Sequence, residues 1–391
     1  NLAWAFASVD IADTKLLTAL ADQALLNIRG FKPQELSALL WASARLDVIH
    51  LELFKAIEGR LIADLGHTLD RKEVEAKVPA LHVPPEDFEP SGAPHVVLDL
   101  GDRLAVHKPS GWEVDVDEVA GRDQREGEDV HRLSSYIQAA VPARLSAIAA
   151  DVGHRRGFLQ RIDVPCSGLV LCAKTYQAYY DLRSQLDLGK LMRDYVVLAH
   201  GWLPTERAQI DARVLWAQGS LGPSAVRPSG KPARSRLKVL AHAARERQAS
   251  TLVSIRIASG RRHQIRTHLG HVGHPVVGDR RYLSGATARG DLTWCKLNFL
   301  HRFSLRFGDR AGVARRVAVP LPRDLRAALG LLLPHCRGSS SVLRRWASGG
   351  RPLEGWDELR PLRVASVGHP RRRRPVPAAH AVGPYCDIGQ F

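Results

Sequence analysis

Apolar and polar positions follow two different periods along this chain, and the change from one to the other divides it. Over residues 1–65 apolar positions recur at helical spacing, and Gly30 and Pro33 break the pattern where one helix ends and another starts. From residue 95 onward the apolar runs shorten. Runs at 95–98, 104–106, 169–173, 193–199, 237–241, 251–257 and 297–307 are bounded by turn residues or alternate with polar ones, so they read as strands. Helical spacing returns at 133–148 and at 175–188, where Tyr179, Leu182 and Leu186 share a face, and a turn and last helix follow at 320–333. Residues 122–132 read as a polar surface insertion, and 204–234, rich in Pro, Gly and Arg, as a long loop. Strands with a few helices between them predict an α+β fold built on a large sheet.

The helical part carries an internal repeat. Asn1-Leu2-Ala3-Trp4-Ala5 matches Ala38-Leu39-Leu40-Trp41-Ala42 at an offset of 37, and the same offset takes Leu16, Leu17, Ala19 and Leu20 to Leu53, Phe54, Ala56 and Ile57. Paired helices at such a period are a solenoid signature. The stretch resembles the octatricopeptide or FAST-kinase-like helical repeats of organelle RNA-binding proteins. A helical scaffold or a protein-contact surface is the other reading of the same pattern. Five prolines between Pro79 and Pro94 suggest a linker. The expected organisation is a partial helical repeat at 1–65, a linker at 66–94, a catalytic domain at 95–335 and a basic disordered tail at 336–391.

Charge changes this picture. The net charge is +16, but residues 1–70 carry six basic against nine acidic residues. Residues 336–391 carry ten Arg, including Arg371 to Arg374, and four acids. The remainder, 71–335, therefore holds +13 of the total. An excess of that size points to a polyanionic partner, most often nucleic acid. Five scattered cysteines without a C-x-x-C pair argue against a disulfide framework and against a thiolate zinc site. No apolar run approaches the ~20 residues of a membrane span. The chain begins at Asn1, which suggests a piece of a longer protein and leaves an organellar location, chloroplast or mitochondrion, open.

Two stretches carry candidate chemistry. In Gln160-Arg161-Ile162-Asp163, followed by Pro165, Cys166, Ser167 and Gly168, an acid lies on a turn fixed by the strand after it. Its plain reading is a turn-opening aspartate. In the second stretch, 260–282, a glycine turn opens a short helix dense in cations: Gly260-Arg261-Arg262-His263-Gln264-Ile265-Arg266-Thr267-His268. Gly273, His274 and Pro275 stop it. His263, His268, His271 and His274 raise the question of zinc, and with it of a zinc hydrolase. The absence of H-E-x-x-H, the repulsion of a dication by Arg261, Arg262 and Arg266, and the glycines at 270 and 273 favour the wall of an anion site instead.

Taken in order, Lys108-Pro109-Ser110-Gly111, Arg161-Ile162-Asp163 with Ser167-Gly168, Tyr195, 260–268 with His274-Pro275 and Gly278-Asp279, and Leu300-His301 resemble the successive motifs of the RluA-type pseudouridine synthases. The resemblance covers roughly residues 90–330. It implies an α+β fold with a large mixed, mainly antiparallel sheet and flanking helices. It also implies isomerisation of uridine to pseudouridine in structured RNA, ribosomal, transfer or messenger, with no cofactor, no metal and no membrane, by a monomer. Asp163 would be the nucleophile, kept ionised by Arg266, and Tyr195 would pack on the base and act as general base or proton relay. Arg161 would help hold the flipped nucleotide, and Lys108, Arg261, His263, Gln264 and His268 would contact RNA or base. The chain departs from the family pattern at Gln160, where His is usual, at Cys166, where Thr is usual, and at Arg193, where Lys is frequent. The departures at Gln160 and Cys166 motivate the alternative of an inactive RNA-binding repeat protein.

Overall fold

The computed structural model describes residues 14–31, 35, 52–53, 56–57, 80–82, 92–115, 131–141, 146–216, 222–257, 259–349 and 354–363. The chain divides into two compact units, Asn1–Val78 and Pro79–Phe391. In the first, helix α1 (Thr14–Leu26) buries Ala21 and Ala24, one turn apart on the same face, against Leu53 and Ile57. Of the repeat match, Leu16, Leu17, Ala19 and Leu20 lie in this helix, and residues 1–5, 38–42 and 54 lie outside the described residues.

The second unit is built on an 11-stranded sheet. Its strands are β1 (Ala80–His82), β2 (His95–Leu100), β3 (Arg103–Lys108), β4 (Ser167–Ala173), β5 (Met192–His200), β6 (Gln209–Asp211), β9 (Arg234–Arg245), β10 (Gln248–Ile257), β11 (Leu300–Gly308), β12 (Ala314–Ala318) and β13 (Leu333–Pro334). Between β6 and β9, β7 (Val214–Leu215) and β8 (Ala225–Val226) pair as a separate small ribbon. The main path runs β13-β9-β10-β5-β11-β4-β3-β2, antiparallel except where β4 meets β11 in parallel. This is the mixed, mainly antiparallel sheet that the resemblance implied.

Each central strand is buried on both faces, and the pleat separates two cores. From β5, Tyr195, Val197 and Ala199 enter one core, while Val196 and Leu198 enter the other. The first core is covered by α2 (Leu133–Ala140), through Leu133 and Ile137, and by α4 (Gln264–His271), through Ile265 and Leu269. The opposite face is covered by α3 (Tyr176–Asp187), α6 (Arg323–Gly330) and α7 (Arg337–Ser348). A further helix, α5 (Gly285–Leu292), comes after α4.

Four expectations change. The tail expected to be disordered from residue 336 begins as α7, whose Leu343 and Trp346 are buried, with the Trp346 ring edge-on to Phe303 at 5.1 Å. Beyond it, Trp356 and Leu359 are buried too, and their carbonyls accept from Lys238 Nζ at 2.6 and 2.9 Å. Composition misled here because arginines such as Arg344 and Arg345, counted as signs of disorder, are the solvent face of an amphipathic helix. Residues 364–391, with the four-arginine run, lie outside the described residues. The expected linker contains β1, which pairs in parallel with β12. The expected long loop contains β6, β7 and β8. The helix expected at 133–148 ends at Ala140, before Pro142, because the residue preceding a proline is disfavoured in helical conformation. Of the polar insertion expected at 122–132, residues 122–130 lie outside the described residues.

The β4–β11 crossing fixes the strand that the Asp163 loop enters. Gly168 sits opposite Arg302 at φ +124, and a Cβ there would lie 2.4–2.8 Å from Arg302 backbone atoms. Ser167 Oγ and His301 Nδ1 hold the same crossing at 2.8 Å. Gly168→Ala is expected to cost about 2 kcal/mol or more of stability, since both the backbone conformation and the spacing exclude a methyl group. Urea unfolding measures it, and an unchanged midpoint would show that the crossing yields easily.

Candidate functional site

The Asp163 loop leads into β4 and is fixed from behind. Arg161 is exposed, Ile162 is buried in the first core and Asp163 is part-exposed, so the three residues point out, in and out. The Cys166 N–H bonds the Asp163 carbonyl at 3.0 Å, closing a four-residue turn, and the Gly111 N–H bonds the Val164 carbonyl at 2.8 Å. Behind this turn lies Lys108. Its buried ammonium donates to the carbonyls of Trp112 and Cys166 at 2.7 Å each, of Pro109 at 2.9 Å and of Val164 at 3.4 Å. Burial pulls the Lys108 pKa down to about 7 against the opposing pull of Cys166 and Asp163. Lys108 therefore does not face a nucleic acid: it ties the loop after β3 to the loop before β4.

Lys108→Met removes the donors and leaves those carbonyls against an apolar chain. An expected loss of about 2–4 kcal/mol comes from leaving buried acceptors unmade. Thermal unfolding checks this, and a wild-type melting temperature would mean that the loops hold without the ammonium.

Helix α4 brings the cation to the acid. Its start is set by Gln264, whose side-chain oxygen accepts from the Arg261 N–H at 3.1 Å and from Ser259 Oγ at 2.9 Å, a reach-back of the kind seen in capping boxes. The N-cap, His263, adopts a left-handed backbone with φ 54. The helix ends where Gly273 takes φ +83 and the His274 N–H bonds the Leu269 carbonyl at 2.8 Å, a Schellman closure. Arg266 lies in the first turn and is 3% exposed. Its Nη1 donates to Asp163 Oδ2 at 2.7 Å, while Nε and Nη2 fork onto Asp279 at 2.6 and 2.8 Å. Asp279 is fully buried. One planar guanidinium thus joins two carboxylates, of which Asp163, 29% exposed at its side chain, is the one open to solvent. The ring of Tyr282 lies 5.2 Å from the guanidinium carbon, and its hydroxyl donates to the Ser224 carbonyl at 3.0 Å.

Electrostatics keep Asp163 ionised. Burial acts to raise its pKa, but His263, Arg266 and Lys108 outweigh that and hold it below the ordinary carboxylate value. Burial also pushes His263 down to about 4, so at neutral pH this imidazole is uncharged and Arg266 supplies the lasting positive charge. His263 Nε2 lies 3.9 Å from Asp163 Oδ2, and its Nδ1 pairs with the Tyr282 hydroxyl at 3.2 Å.

Of the residues expected to contact RNA, Arg161 and Arg261 are exposed. Gln264 and His268 are not: both are buried and tie α4 to its neighbours. Gln264 Nε2 donates to the Arg234 carbonyl at 3.0 Å, and His268 bridges Ser235 Oγ at 3.0 Å and the Ala212 carbonyl at 3.1 Å. The histidines also diverge, His274 Nδ1 going to the His200 carbonyl at 2.9 Å. Among the described residues no group of three or more His, Cys, Asp or Glu is placed to hold a metal ion.

The sequence alone did not reveal two of the partners. Asp279 stands in the Gly278-Asp279 motif without an expected role, and nothing local to that pair tells that its carboxylate turns back to Arg266. Arg302 comes directly after Leu300-His301 and meets Tyr195, 107 positions away in sequence. Alternation in a strand gives no sign of such a partner.

Residues 102–271 match the family model described as RNA pseudouridylate synthase. The chain is 34% identical over 198 residues to a Nitrosomonas europaea protein named Ribosomal large subunit pseudouridine synthase D, covering 49% of this chain and 54% of that one. Its counterpart of the same name in Yersinia pestis is 30% identical over 187 residues, covering 48% and 52%. The chain thus spans about half the length of these curated relatives. Among solved structures, Human RNA Pseudouridylate Synthase Domain Containing 1 aligns with a TM-score of 0.46 at 20% identity, over 68% of this chain and 100% of that one.

Proposed function

We propose that this chain, whose residues 102–271 form a domain of the RNA pseudouridylate synthase family, isomerises uridine to pseudouridine in RNA. The observation that carries the reading is the ionised, solvent-reachable Asp163 held at 2.7 Å by an arginine that a buried second carboxylate orients. A carboxylate of this kind is a nucleophile ready without prior deprotonation. It attacks C1′ as the N1–C1′ bond breaks, the freed base turns so that C5 faces C1′, and the C5–C1′ bond forms as the carboxylate leaves and is regenerated. C5 then gives up its proton and N1 gains one. Tyr195 receives or relays the C5 proton. The exposed Arg161 and Arg261, on the two loops that meet at Asp163, contact the nucleotide and its phosphates. A uridine inside a helix is unreachable to a carboxylate on a rigid loop, so the base is extruded first.

The partner in this reading is RNA, and the +13 excess of residues 71–335 supplies phosphate contacts. Release of tritium from RNA labelled at uracil C5 tests the proposal, because isomerisation must exchange that hydrogen. Full-length protein that binds RNA and releases no tritium from any transcript pool would support the inactive RNA-binding alternative. Carbodiimide mapping of pseudouridine in cells lacking the protein names the target.

A further inference from the structure

We infer that Arg302 is a positioning residue that presents the oxygen of Tyr195 to the base, an inference that rests on the isomerase reading above. Tyr195 lies in the middle of β5, 3% exposed. Opposite it, β11 carries an extra residue: His301 pairs with Val196 and Ser304 with Asp194, so Arg302 and Phe303 together oppose Tyr195. Such a bulge re-aims a side chain out of the alternation. Gly168, which has no Cβ, lets β4 close onto Arg302 from the other side.

The re-aimed guanidinium sends two of its donors to one atom. Arg302 Nε and Nη2 lie 2.8 and 2.5 Å from Tyr195 Oη. Its remaining contacts are the carbonyls of Leu169, at 3.1 Å, and Arg161, at 3.5 Å, the latter two residues before Asp163. Arg302 is 2% exposed, and among the described residues no carboxylate lies in ion-pair range of it. A cation buried without an anion is costly. The one partner here able to carry negative charge is the phenol oxygen.

The stereochemistry assigns the consequence. A guanidinium only donates, so both bonds from Arg302 fall on lone pairs of Oη. The hydroxyl proton then points away from Arg302. Once that proton has left, the same two donors still hold the oxygen, and its third lone pair is free to take the proton from C5. The hydroxyl proton of Tyr195 passes to N1 of the freed base and the C5 proton replaces it on Oη, so that N1 gains one proton, C5 loses one and the tyrosine ends as it began. Through the Arg161 carbonyl the same arginine couples this oxygen to the loop bearing the nucleophile.

The test is a double-mutant cycle on the full chain with C5-tritiated RNA. Arg302→Lys keeps the buried charge but cannot place two donors on one oxygen. It is expected to lower kcat about 10- to 100-fold, part of what proton transfer by a side chain contributes, with KM and melting temperature close to wild type. C5-deuterated uridine should slow the variant by a larger ratio than it slows wild type, because proton removal has become the slow step. In a Tyr195→Phe background the same change should cost about threefold or less, since the two residues act as one unit. Additive losses in the two backgrounds overturn the proposal while leaving the isomerase reading in place. A wild-type protein without tritium release removes the reading, and the proposal with it.

Discussion

Asp163→Asn is expected to abolish tritium release while the protein stays folded and keeps its RNA affinity. The expected fall in kcat is at least about 10⁴-fold, the order seen when a nucleophile is removed. The amide retains the shape of the carboxylate and an oxygen that Arg266 Nη1 can still donate to, so the loop keeps its anchor. Lys108, Ile162 and the turn from Asp163 to Cys166 are untouched, and they fix the loop through backbone atoms and burial. RNA affinity rests on phosphate contacts from exposed cations, which the substitution does not alter. Filter binding and tritium release on one preparation separate the two effects. An active Asp163→Asn protein would falsify the nucleophile assignment outright.

Arg266→Ala is expected to be as damaging to rate and far more damaging to stability. Asp279 is fully buried, and the two guanidinium bonds at 2.6 and 2.8 Å are its side-chain charge partners. Removing the arginine leaves a buried carboxylate without a cation, a loss of roughly 3–5 kcal/mol. It also frees Asp163 from the cation that sets its orientation. The pH dependence has a definite sign. The folded pKa of Asp163 lies below its unfolded value near 3.8, so its contribution is full above that value and is lost as pH falls through the lower folded one. Without Arg266 that contribution shrinks, and acid unfolding should begin at higher pH than in wild type. Arg266→Lys discriminates further: a single ammonium can satisfy one carboxylate but cannot fork onto Asp279 and reach Asp163 together. It should recover part of the stability and little of the rate. Circular dichroism against pH, with and without denaturant, reads both. Coincident acid unfolding curves for wild type and Arg266→Ala would mean that the arginine does not sustain the charge on Asp163.

The Arg161 to Asp163 motif and the helix from 264 were legible because each depends on neighbours in sequence. The turn from Asp163 to Cys166, signalled by Pro165, needs only local chemistry, and the helix stop at Gly273 is written in the residue that tolerates φ +83. The strands at β4, β5, β9 and β10 were legible for the same reason: a stretch of five to seven residues between turns, apolar throughout or broken only by single polar positions, has few other uses. What the sequence by itself determined is therefore the central strands with the helices α3, α4 and α6, the large sheet they build, and the pairing of an acid loop with a basic helix, which the ordered motifs implied.

Tertiary structure decided which of the polar residues in those motifs face the site. Lys108, Gln264 and His268 sit in motifs as prominently as Arg266, yet each is buried and bonded to backbone or to neighbouring side chains. No local rule distinguishes a lysine that spans two loops from one that meets a phosphate, because its acceptors are carbonyls up to 58 positions away. Asp279 and Arg302 pass unnoticed for the converse reason. Their partners are fixed by a helix packing on a sheet and by a bulge between β5 and β11, and a bulge moves a side chain against the alternation that a strand's sequence displays. The helix α7 shows the same limit in the other direction: ten arginines set the composition of residues 336–391, and only packing shows that Leu343 and Trp346 bind part of that segment to the sheet.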